Sequence, residues 1–81
     1  MAVYVDNARI PARGLRWSHL IADTAEELHR AAEALGLRRD WAQEKRTLHY
    51  DVPDTVRERA VALGIAEPIS WREVARRRAA T

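Results

Sequence analysis

Leu15-Arg16-Trp17-Ser18-His19-Leu20-Ile21-Ala22-Asp23-Thr24-Ala25-Glu26-Glu27-Leu28-His29-Arg30-Ala31-Ala32-Glu33-Ala34-Leu35-Gly36 is the stretch whose reading decides the fold. Its period changes halfway. Leu15 to Ala22 reads as a strand, apolar enough toward its end to be buried on both faces. Thr24, followed three residues later by Glu27, is a capping box. Ala25, Leu28, Ala32 and Leu35 then recur at helical spacing, with Ala31 on the same side. Gly36 supplies the C-cap. A strand feeding a capped helix is the repeating unit of α/β folds.

On the N-terminal side, Ala2-Val3-Tyr4-Val5-Asp6 alternates and predicts another strand. Residues 7–14 carry Asn7, Pro11 and Gly14 and read as a loop. Eight residues are few for a parallel crossover, so these first two strands are expected to be antiparallel if they are neighbours. On the C-terminal side, residues 37–46 read as a charged connector containing Trp41. Thr47 to Val52 predicts a third strand. Pro53-Asp54 opens a second helix, with Asp51 or Asp54 as its cap. Val56, Ala60 and Leu63 form its stripe, and Gly64 ends it. The endings Ala34-Leu35-Gly36-Leu37 and Ala62-Leu63-Gly64-Ile65 look alike. Ile65 to Ile69 suggests a short strand that Pro68 confines to an edge. Ser70-Trp71-Arg72-Glu73 is a second capping box, opening a final helix to about residue 79. The expectation is one small α/β domain over residues 1–81, in the order β-β-α-β-α-(β)-α. A short mixed sheet would pack with three helices, and the alternation argues for parallel β-α-β units.

A chain of 81 residues without cysteine has a thin core and no disulfide. Metal binding or homo-oligomerisation would be ordinary supports at this size. The lack of cysteine excludes thiolate zinc sites and thiol redox chemistry. Residues 1–23 lack the apolar core of a signal peptide, and the uncharged apolar runs fall far short of a membrane span. A cytoplasmic protein with no membrane partner is therefore expected. Net charge is +2, carried by 13 arginines and one lysine. Arginine at this frequency suits a nucleic-acid surface. Together with the abundant alanine, it fits the composition of GC-rich genomes still better.

The polar residues that suggest chemistry lie at element ends. His49 and Asp51 are two apart on a predicted strand and share a face, as a metal pair or an oriented acid–base pair requires. Tyr50 then faces the core with Leu48 and Val52. Asp6 and His19 meet across the first two strands if these form a hairpin. Asp23 and Asp51 each end a strand before a helix. If those strands are parallel neighbours, both carboxylates lie on one sheet edge and can hold a divalent cation. Simple helix capping by both is the plainer alternative. His29 flanks the buried stripe of the first helix. Trp17, Trp41 and Trp71 are core mass by default. Trp41, beside Arg38, Arg39, Lys45 and Arg46, also has the pattern of a base-stacking platform with phosphate contacts. Arg72, Arg76, Arg77 and Arg78 suit the last turns of the final helix. No glycine-rich phosphate loop, nucleophile elbow or His-Glu-x-x-His pair is present in the sequence.

Val3-Tyr4-Val5-Asp6, Trp17-x-His19-Leu20-x-Ala22-Asp23-Thr24-x-x-Glu27-Leu28-His29, Ala34-Leu35-Gly36-Leu37 and His49-Tyr50-Asp51 together resemble a small bacterial and phage family, domain of unknown function 4031. The resemblance covers residues 2 to about 76. It implies a single small domain and emphasises Asp6, His19, Asp23 with Thr24, His29 and the His-Tyr-Asp block. The family's usual Trp-Phe-Gln block stands here as Trp41-Ala42-Gln43, without its central aromatic residue. The resemblance supplies no activity.

The resulting expectation is a His/Asp site in a small α/β protein, serving metal-dependent hydrolysis or binding of a phosphorylated ligand. His49, Asp51, His19 and Asp6 are the candidate catalytic groups. His49, Asp51 and Asp23 are the candidate ligands of a divalent metal, with His29 and Trp41 as further candidates. Nucleic acid or a phosphorylated small molecule is the expected partner. The alternative is a non-enzymatic module binding nucleic acid or protein, in which the His/Asp set is structural.

Overall fold

A computed structural model describes residues 2–45, 47–70, 72–74 and 76. The elements are β1 (Val3–Val5), β2 (Ile10–Ala12), β3 (Leu15–Ala22), α1 (Ala25–Ala34), a 3-10 turn (Arg39–Trp41), β4 (Gln43–Lys45), β5 (Thr47–Pro53), α2 (Asp54–Ala62) and β6 (Glu67–Pro68). Residues 72–74 and 76 are helical as well. The mixed sheet has the order β4-β5-β3-β1-β6, with β2 paired to β3 off that path. This is the expected small α/β domain with three helices. Trp71, Arg77 and Arg78 lie outside the described residues, as does Arg46.

The antiparallel pairing of the first two predicted strands is observed, with Val3 opposite Ala22 and Val5 opposite Leu20. The loop expected over residues 7–14 instead contains β2. It pairs with β3 through a two-residue turn, Ala12 standing opposite Leu15. Both central residues have positive φ, 50° at Arg13 and 76° at Gly14. That is the sign of a type I′ turn, whose twist matches that of the flanking strands. Pro11 is accommodated because β2 is short, exposed and bonded only to β3.

The connector expected over residues 37–46 likewise holds a strand, β4, hairpinned onto β5 with Lys45 opposite Thr47. This extra strand changes the parity of the chain. β5 now runs antiparallel to β3, with His19 opposite Asp51 and Leu20 opposite Tyr50. The expected parallel β-α-β pairing of these two strands is therefore corrected. Among the described residues the parallel pair is β1 with β6.

The core forms on the sheet face that carries Val5, Leu20, Tyr50 and Val52. Leu28, Ala32 and Leu35 from the first helix and Ala60 from the second close it. Each large apolar side chain fully buried there stabilises the fold by about 1.5–3 kcal/mol. Thr24 caps α1 as expected, its Oγ1 accepting from the Glu27 amide at 3.2 Å and donating to the Glu27 carboxylate at 2.8 Å. The helix stops in a Schellman motif at Gly36, φ 78°. There the Leu37 amide reaches the Ala32 carbonyl and the Gly36 amide the Glu33 carbonyl. α2 ends the same way at Gly64, which explains why the two endings read alike. Its N-cap is Pro53, with no side-chain capping bond from Asp51 or Asp54. Leu63, expected in the buried stripe, lies past the last helical turn and is exposed. The Arg59 guanidinium donates to the Leu35 carbonyl and fastens α2 to the end of α1.

The opposite sheet face is divided. Tyr4 and Ile21 are covered by Val74 of the final helical residues, with Ile69 alongside. Ser70 opens that segment by accepting from the Glu73 amide. The other half of this face carries the polar residues. Substituting Gly36 by alanine should cost about 1 kcal/mol in urea denaturation, because the left-handed backbone disfavours any Cβ. Open space around that position means no packing clash adds to this cost.

Candidate metal centre

Alternation along two neighbouring strands builds the site. On β3, Trp17, His19 and Ile21 share a face; on β5, His49 and Asp51 do. The register sets Asp51 opposite His19. His19 Nε2 lies 4.0 Å and His49 Nε2 3.5 Å from Asp51 Oδ1. The two imidazoles meet edge to face, with ring centroids 5.3 Å apart. One ligating atom from each of His19, His49 and Asp51 lies within 4.8 Å of the other two.

Every member of this trio is held from behind. Asp6, at the end of β1, is completely buried. Its Oδ2 accepts from His19 Nδ1 at 2.7 Å, and its Oδ1 accepts from the His19 and Ala8 amides at 2.9 and 3.1 Å. Burial alone would raise the Asp6 pKa. The bonds from the His19 ring, the His19 amide and the Ala8 amide outweigh burial and hold the group below the ordinary carboxylate value. His49 Nδ1 lies 2.9 Å from the Thr47 carbonyl. A carbonyl only accepts, so Nδ1 carries a proton and Nε2 is the ring nitrogen on the side of Asp51. The Gln43 amide donates to Asp51 Oδ2 at 2.7 Å and leaves Oδ1 turned toward the histidines.

The arrangement therefore gathers electron-rich atoms at one point. An ionised Asp6 gives His19 the same tautomer, so the Nε2 atoms of both rings converge on the Asp51 carboxylate. Lone pairs facing a carboxylate repel unless positive charge lies among them, either a proton or a cation. Donors about 2.1 Å from a tetrahedral ion are themselves about 3.4 Å apart. The 3.5 Å between His49 and Asp51 meets that spacing, and the 4.0 Å from His19 to Asp51 is wider than it. A groove of about 380 Å³ opens over the trio, walled by Ile10, Ala12 and Trp17 on one side and by Gln43 and Lys45 on the other.

The structure joins two pairs that the sequence nominated separately, Asp6–His19 and His49–Asp51. It does not bring Asp23 to them. Asp23 lies beyond the end of β3, where its carboxylate accepts from the Ala2 amide at 3.0 Å. Because β3 and β5 are antiparallel, Asp51 stands beside the middle of β3, not beside Asp23. His29 belongs to the other face: its Nδ1 is 2.7 Å from the hydroxyl of Tyr50, which alternates away from His49 and Asp51. Burial pushes the Tyr50 phenol pKa up. Trp41 stands exposed at the 3-10 turn. Two supports were not foreseen. Gln43 was invisible because β4 read as a connector. The Arg57 guanidinium, 2.8 Å from the Asp6 carbonyl, comes from a helix that nothing in the sequence tied to β1.

The chain belongs to the family described as Protein of unknown function (DUF4031), whose model matches residues 3–81. No curated protein and no solved structure matches it.

Asp6→Asn tests the buried anchor. With its oxygen kept by the two backbone amides, an asparagine turns its NH2 to the imidazole, which forces the His19 proton onto Nε2. A loss of about 2 kcal/mol at neutral pH is expected, in the range for hydrogen bonds to charged groups. Because the folded pKa of Asp6 is lowered, its contribution is fully present above the ordinary carboxylate value near 4. It is lost as pH falls through the lower folded value. Urea midpoints measured down an acid series should fall less steeply for Asp6→Asn than for the wild type.

Proposed function

We propose that this protein binds one divalent transition-metal ion through His19 Nε2, His49 Nε2 and Asp51 Oδ1, and uses it in hydrolytic or phosphoryl-group chemistry. The convergence of three ligand atoms within 4.8 Å from two adjacent strands carries this reading. The supporting bonds match what metal histidines ordinarily need. One imidazole is oriented by a carboxylate and the other by a carbonyl. Two histidines and a carboxylate with no thiolate suit zinc, manganese or iron, and leave coordination positions open to water and substrate. A zinc ion held this way would lower the pKa of a bound water to about 7 and would polarise phosphoryl or carbonyl oxygens. Gln43 keeps Asp51 to one ligating oxygen, and Asp6 fixes the tautomer of His19.

One observation favours a second reading, in which the same residues are purely structural. Asp6 satisfies two backbone amides besides the imidazole and thus ties β1 to β3 without any ligand. The readings separate in calorimetric titrations of the wild type, His49→Ala and Asp51→Ala with zinc and manganese. One saturable equivalent is expected for the wild type, and a loss beyond about 100-fold for each variant, exceeding the usual effect of an outer-shell change. A wild type that takes up no metal, with variants that only melt earlier, would leave the structural reading standing.

A further inference from the structure

A second groove, of about 610 Å³, adjoins the metal centre, and the two share Trp17, Gln43 and Asp51 in their walls. Its volume lies within the roughly 300–1,000 Å³ of small-molecule sites. Arg13, Trp17 and Trp41 line it, together with the apolar side chains of Leu37 and Val56. Trp41 is 52% exposed, an unusual position for an indole on so small a domain. Trp17 is anchored, its Nε1 donating to the Ala12 carbonyl at 2.9 Å. The Arg13 guanidinium lies 4.9 Å from the Trp17 ring centroid. Arg13 holds this position from a left-handed backbone conformation that disfavours branched side-chain attachment. Asp40, also in the wall, has its charge matched by Arg38 at 3.0 Å.

We infer that this groove binds a nucleoside phosphate, with the base against Trp41 and the phosphate directed past Asp51 to the metal centre. The inference rests on the proposed metal reading for its phosphate end and on the indoles for its base end. A planar π-system suits exposed indoles. Arg13 adds positive charge and planar donors for phosphate oxygens. A purely apolar ligand would use the indoles but neither the arginine nor the metal. Inorganic phosphate would use those and leave the indoles idle. A free nucleotide and the end of a single strand present the same chemistry.

The test titrates manganese-loaded protein with adenosine monophosphate, adenosine, inorganic phosphate and a short single-stranded oligonucleotide. Adenosine monophosphate should bind more tightly than adenosine or phosphate alone. Trp41→Ala should weaken it about tenfold, the effect of losing one stacked base, while phosphate and manganese affinities stay unchanged. Trp41→Phe should restore part of the loss. Because Trp41 is exposed, the alanine variant should keep its fold by circular dichroism. Tighter oligonucleotide binding that weakens steeply with salt assigns the strand end as the source. Affinity no greater than that of the mononucleotide assigns the free nucleotide. Adenosine monophosphate binding no better than phosphate, or indifferent to Trp41→Ala, would overturn the inference while leaving metal binding intact. A titration without metal separates the failures: Trp41-dependent binding in a protein that takes up no manganese would remove the metal reading and keep the base subsite.

Discussion

The buried Asp6 carboxylate is the constraint on which the rest of the polar face depends. A carboxylate taken out of water is costly unless its lone pairs are used. Here one oxygen accepts two backbone amides and the other accepts the His19 ring. Those bonds fix the end of β1, the start of the strap leading to β2, and the orientation of His19 on β3. From His19 the register carries the order across to Asp51, and from Asp51 to Gln43 on the next strand. Arg57 reaches the backbone of the same aspartate from α2, so the helix layer is tied into the arrangement too. A chain this small has few apolar groups to spend on rigidity. Its ordering across the sheet comes partly from polar bonds that also shape a site.

The sequence carried most of the fold because local signals and periodicity agreed. β3 was legible to the residue, since its alternation ends at a capping box. The Schellman endings at Gly36 and Gly64 were legible because only glycine sits easily in that backbone conformation. What escaped was strand structure without strand composition. β2 contains Pro11, and β4 is Gln43-Glu44-Lys45, polar throughout. Both exist because a tight hairpin holds them against a stronger partner, which propensity does not record. The omission of β4 had a topological consequence. With one strand missing from the count, β5 reads as parallel to β3, and Asp23 and Asp51 are drawn to the same edge.

The site was legible in halves for the same reason. The i, i+2 spacing of His49 and Asp51 and the hairpin placement of Asp6 and His19 are local facts, and both hold. Their union into one cluster depends on the antiparallel register of β3 and β5, which depends on β4. Gln43 illustrates the limit further. Its part is set by the strand beside it, and nothing in its own neighbourhood of sequence points to a carboxylate eight residues on. The indole groove stands on similar footing. Trp17 and Trp41 come from different elements and share a wall only once α1 and the 3-10 turn have been laid across the sheet.

The unpaired margins of the sheet bear on how copies of this chain can meet. β4 ends one side with the exposed charges of Glu44 and Lys45; β6 ends the other with Pro68, and β2 carries Pro11. Charge and proline are two means of stopping a sheet from recruiting a strand from another molecule. Self-association by continuing the sheet is therefore disfavoured at the margins formed by the described residues. A homodimer of this protein would have to be built through side-chain faces. On the polar face, that would bring the two His/Asp grooves within reach of each other.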